Sequence, residues 1–380
     1  MKKTKNENLK ILFYVGLLFL ASRLLLIMTG CIYNYLTEDY SKTWDLLYHF
    51  DAEWYTSIID HGYMNLPRPD GQASYAFYPL YPMIVKFIKH FLPETYTANQ
   101  IGILVSNFCI YVAAVISVKF SRLLHKEDTG YFFAFLLFFA PHSMYFSMTY
   151  TEAMFMLFTI AFFYVCYQKK FLAAAVFACL AALTRIVGIF LVFSLLIFMY
   201  QADYEKVTLK NMIAFIKGIF LNPLRLFEIM ICPLGIFGYL YYLYRLVGDV
   251  WASAHIEVAW HHSYNNLFKA LYMNLLSPGS GASSQYWSIW GVLGFVLIGY
   301  LIYKKYYAEA LFGLLSIVVP LNTDVLAASR YVMGNVVFYI ALYEMLNKKQ
   351  TAKIVVMNSS IVIYCVLLYM WFSENCFFVF

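Results

Sequence analysis

An all-α, polytopic membrane protein is the fold class this sequence predicts, on three observations. The 380 residues are 62% hydrophobic and only 13% charged, against roughly 25% charged in a soluble domain. Apolar runs near 20 residues recur from one end to the other, a length that crosses a hydrocarbon layer of about 30 Å as a helix. Lysine and arginine collect in the short segments between alternate runs, the asymmetry that sets orientation in a bilayer. The formal net charge of +6 is therefore read as orientation and gives no argument for nucleic acid as a partner.

Eleven spans are predicted, near 11–31, 99–121, 130–147, 151–167, 171–184, 186–201, 226–246, 288–303, 306–320, 330–346 and 353–373. Lys2, Lys3, Lys5 and Lys10 precede the first, which puts the N-terminus in the cytoplasm. That first stretch is long, contains Arg23 and leads into further spans, so a cleaved signal peptide is not expected. Met28-Thr29-Gly30-Cys31 has the look of a lipoprotein cleavage box but reads as the end of a helix. Alternation then turns every basic cluster inward: Arg122 and Lys126, Lys169 and Lys170, the 202–225 segment, Lys304 and Lys305, and Lys348 to Lys353. The 202–225 segment itself predicts an amphipathic surface helix.

Two outward segments are long, 32–98 and 247–287, and hold most of the histidines and five tryptophans. Aromatic rings at this level can be a mere interfacial belt, yet carboxylates and histidines gathered on one side suggest an outer active site. No separate soluble domain and no internal repeat is visible, so residues 1–380 read as one integral membrane unit. Most of the seven cysteines lie in apolar runs; Cys31 and Cys376 alone are placed to meet an oxidising face.

The first outer segment contains Asp51-Ala52-Glu53-Trp54-Tyr55. It predicts a short helix lying on the membrane over 51–62, with Trp54, Tyr55, Ile58 and Ile59 as its apolar face. A carboxylate at the start of a helix is favoured by capping and by the dipole. For Asp51, cap and catalytic group are therefore equal readings of the motif alone, and Glu53 has the same bland alternative. Downstream, Pro79 and Pro82 argue against a regular helix through Tyr78 and its aromatic neighbours. Those rings either line a groove for a lipid chain or sugar or form a re-entrant turn.

Ionisable residues in or beside spans cost at least about 2.5–3.5 kcal/mol near a helix centre. Arg23, Glu152, Arg185 and Arg330, the last followed by Tyr331, all fall toward the outer half. Snorkelling to the interface explains one such arginine readily and three less readily. His261 and His262 adjoin Trp260 in the second outer segment. The chain has no His-Glu-x-x-His, paired Cys-x-x-Cys, phosphate-loop or dinucleotide pattern, so a metal site is not expected.

Taken in order, these residues resemble the GPI mannosyltransferase 2 (PIG-V) family. Asp51 to Tyr55 with Gly62-Tyr63 is similar to that family's Trp-Asp-x-x-x-Tyr…Gly-Tyr opening, although Phe50 stands where the Trp is expected and Trp44-Asp45 is a competing fit. Asp45 lacks the downstream Tyr and Gly-Tyr spacing, so Asp51 is preferred. Ala76 to Pro82 resembles its Phe-Phe-Pro-x-x-Pro segment, and Pro141-x-Ser143…Tyr150-Thr151-Glu152 its Pro-x-Ser…Tyr-Ser/Thr-Glu stretch. Thr184-Arg185-x-x-Gly188 and Ser329-Arg330-Tyr331 complete the set. The size of the chain points to a bacterial member.

The resemblance implies a GT-C-like bundle and a glycosyltransferase, expected to be a mannosyltransferase. The donor it implies is a polyprenyl-phosphate sugar used on the non-cytosolic face, with a lipid-linked or cell-envelope glycan as acceptor. The membrane is then the cell membrane, or the ER membrane with a luminal site if the cell is eukaryotic. Transfer needs a base for the acceptor hydroxyl, for which Asp51 is the candidate with Glu53 as its helper. It also needs cations for the leaving phosphate, for which Arg330 and Arg185 lead. Glu152, Tyr331, Tyr78, His262 and Arg23 are the further substrate-binding candidates. A carrier with a single phosphate leaves with little charge, so the reaction is expected to be metal-independent and, by direct displacement, inverting. A lipid-linked sugar flippase is the competing class; a polymerase or acyltransferase using His261 or His262 is another.

Overall fold

The computed structural model describes residues 2–40, 45–126, 130–260, 266–277, 281–323 and 325–374. Among these residues every regular element is helical and no strand occurs. Six helices are each long and apolar enough to cross a membrane: Asn6–Thr37 within the first helix, Ala98–Leu124, Ile186–Asp203, Pro223–Val247, Ala282–Tyr303 and Gln350–Phe372. Shorter apolar helices, Tyr131–Phe139, Glu152–Tyr167, Phe171–Thr184, Tyr307–Leu321 and Val336–Leu346, fill the remaining predicted spans. Leu17, Leu24, Phe108, Phe237 and Val362 stay exposed on these helices, as side chains do where lipid is the solvent.

Side-chain pairs mark two ends of the bundle. Arg122 meets Glu7 at 2.9 Å, and His125 meets Glu344 at 2.6 Å. At that same end the Tyr167 hydroxyl donates to Glu309 at 2.7 Å. Gly102, near the other end of the Ala98–Leu124 helix, lies against Thr149, about 30 Å from Arg122 at 1.5 Å per residue. Arg122 thus sits away from the end where Asp51, Glu152, Arg185 and Arg330 meet, and so does Arg225, paired with Asp203 close to Lys169, just past Tyr167.

Three of the predicted spans are not continuous helices, and each breaks at the Thr149 end. Residues 130–147 divide into Tyr131–Phe139 and a 3₁₀ turn Ser143–Ser147. Ala140 is extended at φ −62°, ψ 153°, the geometry Pro141 imposes on its predecessor. The span near 186–201 begins as a 3₁₀ turn over Ile186–Phe190, and residues 328–346 divide at Gly334-Asn335, where Asn335 caps the second half through the Val337 N–H at 3.2 Å. Small residues let the helices beside these breaks approach closely. Ala174, Ala175, Ala178, Ala181 and Ala182 are all buried on Phe171–Thr184, which packs between Glu152–Tyr167 and Pro223–Val247.

The segment 45–98 contains the predicted helix, Asp51–His61, but its apolar face does not lie on a membrane surface: Trp54, Tyr55, Ile58 and Ile59 are buried against protein, Trp54 stacking on Phe77 at 5.6 Å. It also contains a helix that the prolines argued against, Leu80–His90. Pro79 stands at its N-cap and Pro82 in its first turn, where a missing N–H breaks no helical bond. On the other side, Thr208 caps Leu209–Leu221 by accepting from the Asn211 N–H at 3.2 Å. Leu209, Ile213, Ile216 and Phe220 of that helix remain exposed, as an interfacial amphipathic helix requires.

Candidate active site

Asp51 opens its helix without capping it. Phe50 holds the cap position, and no side-chain cap bond is made, which corrects the capping reading of Asp51. Phe50 has φ 53° and ψ −117°, a conformation that costs a bulky residue about 1–3 kcal/mol. Its ring lies edge-on to Trp371 with centroids 5.4 Å apart. The Asp51 carboxylate turns instead to Arg330, Oδ2 to Nη2, at 2.6 Å.

Arg330 is carried by the short helix Ala328–Met333, entered through Ala327 at φ 61°. Its Nε donates to Glu152 Oε1, and the same oxygen lies 2.7 Å from Arg185 Nη1. Four residues from four segments form one chain of alternating charge: Asp51, Arg330, Glu152, Arg185. Its formal charge is zero. The side chains of Asp51, Arg330 and Glu152 are 30%, 13% and 0% exposed, and that of Arg185 is 21% exposed. The two ends of the chain are open and its anionic middle is sealed.

Local structure explains each position. The Thr149–Glu152 strip can approach the Ala98–Leu124 helix because residue 102 is glycine; a Cβ there would lie 2.5 Å from Thr149 Cγ2. Thr149 Oγ1 donates to the Asn99 carbonyl at 3.0 Å, and the Tyr150 hydroxyl to the His49 carbonyl at 2.9 Å. The strip holding Glu152 is thereby tied to the chain two residues before Asp51. Arg185 follows the end of Phe171–Thr184, where the chain doubles back and the Gly188 N–H donates to the Arg185 carbonyl at 2.9 Å. A Cβ on Gly188 would lie 2.4 Å from the carbonyl carbon of Ala181, so this turn admits only glycine.

Aromatic faces support the central guanidinium. Arg330 lies 4.6 Å from the ring centroid of Tyr150 and 5.5 Å from that of Tyr145, contacts worth up to about 2 kcal/mol when desolvated. The two rings stack at 5.9 Å. His142, at φ 63°, stacks on Tyr145 at 5.8 Å, and its Nε2 lies 2.6 Å from the Tyr286 hydroxyl. The Tyr55 hydroxyl donates to Thr151 Oγ1 at 3.3 Å. Burial, reinforced by the charge of Asp51, pushes the Tyr55 phenol well above its ordinary range, so it stays a neutral donor.

The other sequence candidates lie elsewhere. Glu53 is on the exposed side of the helix. Tyr331 is half-buried beside Arg330. Tyr78 belongs to a tyrosine cluster with Tyr75 and Tyr239, its ring 5.0 Å from that of Tyr239. Arg23 lies against Phe19 at 4.9 Å, with Nε and Nη1 shielded from solvent and without hydrogen-bond partners. His261 and His262 fall outside the described residues. Among the described residues no three His, Cys, Asp or Glu side chains are grouped to hold a metal ion. Sequence reasoning missed the supporting roles of Tyr145, Tyr150 and His142. All three fall inside the Pro141 to Glu152 stretch, and the break after Pro141 was the available signal.

A search among curated proteins finds no match to the chain. The sequence profile of the Mannosyltransferase (PIG-V) family matches residues 20–272, about two thirds of the chain. Asp51, Glu152 and Arg185 lie inside that match and Arg330 beyond it. With most of its length matched and its spans and charged cluster arranged as described, the chain belongs to the Mannosyltransferase (PIG-V) family, and it is a membrane-embedded mannosyltransferase.

Proposed function

We propose that the protein transfers a mannosyl residue from a polyprenyl-phosphate donor to a lipid-linked or cell-envelope glycan, on the non-cytosolic face, with inversion. The observation that carries this reading is the meeting of one accessible carboxylate with two arginines at the open end of the bundle. Asp51 takes the proton of the acceptor hydroxyl as its oxygen bonds to the anomeric carbon. The bond from that carbon to the donor phosphate oxygen breaks, and the electron pair leaves on the phosphate. Arg330 and Arg185 meet the charge that develops there. Glu152, with no exposed surface, holds both guanidiniums and acts as a positioning residue. The leaving phosphate monoester is stabilised by arginine alone, so no divalent cation is required.

The basic clusters lie at the opposite end, and the positive-inside rule then assigns the Asp51 end to the outer face. A transporter would need a polar route from that end to the other. Below Glu152 the helix is instead lined by Phe155, Phe162 and Phe163, all buried, which favours an enzyme. The test is transfer from synthetic polyprenyl-phosphate mannose by the full chain in liposomes. Asp51→Asn is expected to lower the rate about 10²–10⁴-fold; full activity would remove Asp51 as the base. Loss of activity in EDTA that Mn²⁺ or Mg²⁺ restores would overturn metal independence.

A further inference from the structure

We propose that the donor phosphate and Asp51 compete for Arg330, so that the base is released only when the donor is bound. This rests on the reading of Asp51 as base and of the arginines as the phosphate site. Three features of the charged chain lead to it.

First, Arg330 is held unequally. Glu152 grips it at Nε from the sealed side, while Asp51 holds Nη2 on the open side. An anion arriving from outside meets the edge that Asp51 occupies. Second, Arg330 is the one recorded partner of the Asp51 carboxylate among the described residues. No second cation is within ion-pair distance of it among the described residues; the helix N-terminus, which favours a carboxylate, keeps it charged after it leaves Arg330. Third, the charges match. Without Asp51, the two arginines and Glu152 sum to +1, the complement of the single negative charge of a phosphodiester. A polyprenyl-phosphate sugar therefore replaces Asp51 charge for charge, while a diphosphate-linked sugar would leave the site with excess negative charge.

A carboxylate oxygen held 2.6 Å from a guanidinium nitrogen has that side closed to an incoming hydroxyl. In the resting site Asp51 is in that state. After the exchange it is an unpaired carboxylate beside the bound donor, ready for a hydroxyl proton. Glu152 does not move; it keeps Arg330 and Arg185 aimed at the phosphate throughout. The chemistry is thus withheld from the empty site and available in the loaded one.

The test measures binding and needs no turnover. The full chain in nanodiscs is titrated with a polyprenyl methyl phosphate, a sugar-free phosphodiester of one negative charge, and with dimethyl phosphate as the soluble source of the same group. Removing a competitor should tighten binding, so Asp51→Asn should bind the polyprenyl methyl phosphate about fivefold more tightly than the unaltered protein, the factor for an ion pair of about 1 kcal/mol. Asp51→Ser removes the same charge with a smaller side chain and should do the same, which guards against a folding defect in either variant. Arg185→Gln should weaken binding. If Arg185→Gln weakens binding while both Asp51 variants bind no more tightly, the exchange is wrong and the donor reading stands. If binding of the lipid phosphodiester ignores Arg185, or dimethyl phosphate binds as well as the lipid, the donor reading itself falls and the exchange falls with it.

Discussion

Glu152→Gln offers the most direct test of the charged chain as a structural unit. The carboxylate has no exposed surface and one of its oxygens serves both arginines. At the 2.7 Å separation from Arg185 Nη1, Coulomb's law gives about 6 kcal/mol of attraction at an effective dielectric near 20. Desolvation of the carboxylate, several kcal/mol, offsets much of that. Removing one partner of such a pair nonetheless costs about 3–5 kcal/mol, because the other charge is stranded. Glutamine keeps the shape and can still accept one hydrogen bond, so the lower end, about 3 kcal/mol, is expected. Unfolding in mixed micelles, followed by loss of helicity against denaturing detergent, would measure it. The double variant Glu152→Gln with Arg185→Gln removes a stranded charge and should recover about 1 kcal/mol or more relative to additivity. A single-variant loss below about 1 kcal/mol, or strict additivity of the two changes, would refute the argument that these charges depend on one another.

Two glycine substitutions separate crowding from backbone strain. Gly188→Ala places a methyl group against the backbone of Ala181 and Ala182, atoms that cannot yield as a side chain can. It should cost about 3 kcal/mol of stability, and a shift of about 1 Å in Arg185 should lower mannosyl transfer roughly 10²-fold. Gly62→Ala meets nothing within 4 Å, yet Gly62 has φ +83°; it should cost about 1–3 kcal/mol through the backbone alone. Thermal unfolding read beside transfer rate distinguishes them: Gly188→Ala should depress the rate of the folded protein, and Gly62→Ala chiefly its stability.

Three of the four charged residues of the site could be picked from the sequence by the cost of placing them at a membrane. Glu152, Arg185 and Arg330 met that criterion, Asp51 stood out by its place among aromatic residues between spans, and the structure brings the four together. Arg23 met it equally and lies apart, against Phe19. The difference between Arg23 and Arg330 is the direction each helix presents, which packing decides and hydropathy does not encode. The spans were visible as apolar runs, but their breaks were only partly so. Pro141 announces one of them. The turn at Ala327 into the Ala328–Met333 helix is not announced, because an alanine in a left-handed conformation carries no sequence signature. The Leu80–His90 helix was hidden by treating its prolines as breakers, when their position in the first turn makes them harmless.

Phe50, His142 and Ala327 share one property, a left-handed backbone at a residue that is not glycine. Each conformation costs about 1–3 kcal/mol, and the three lie beside Asp51, Tyr145 and Arg330. This part of the chain would not adopt its shape alone; the surrounding helices impose it, as Trp371 does on Phe50. On warming, the mould should loosen before it melts. Catalysis would then vanish while the helices remain, so a preparation would look folded by far-UV circular dichroism and yet be dead, and cooling it should bring the activity back.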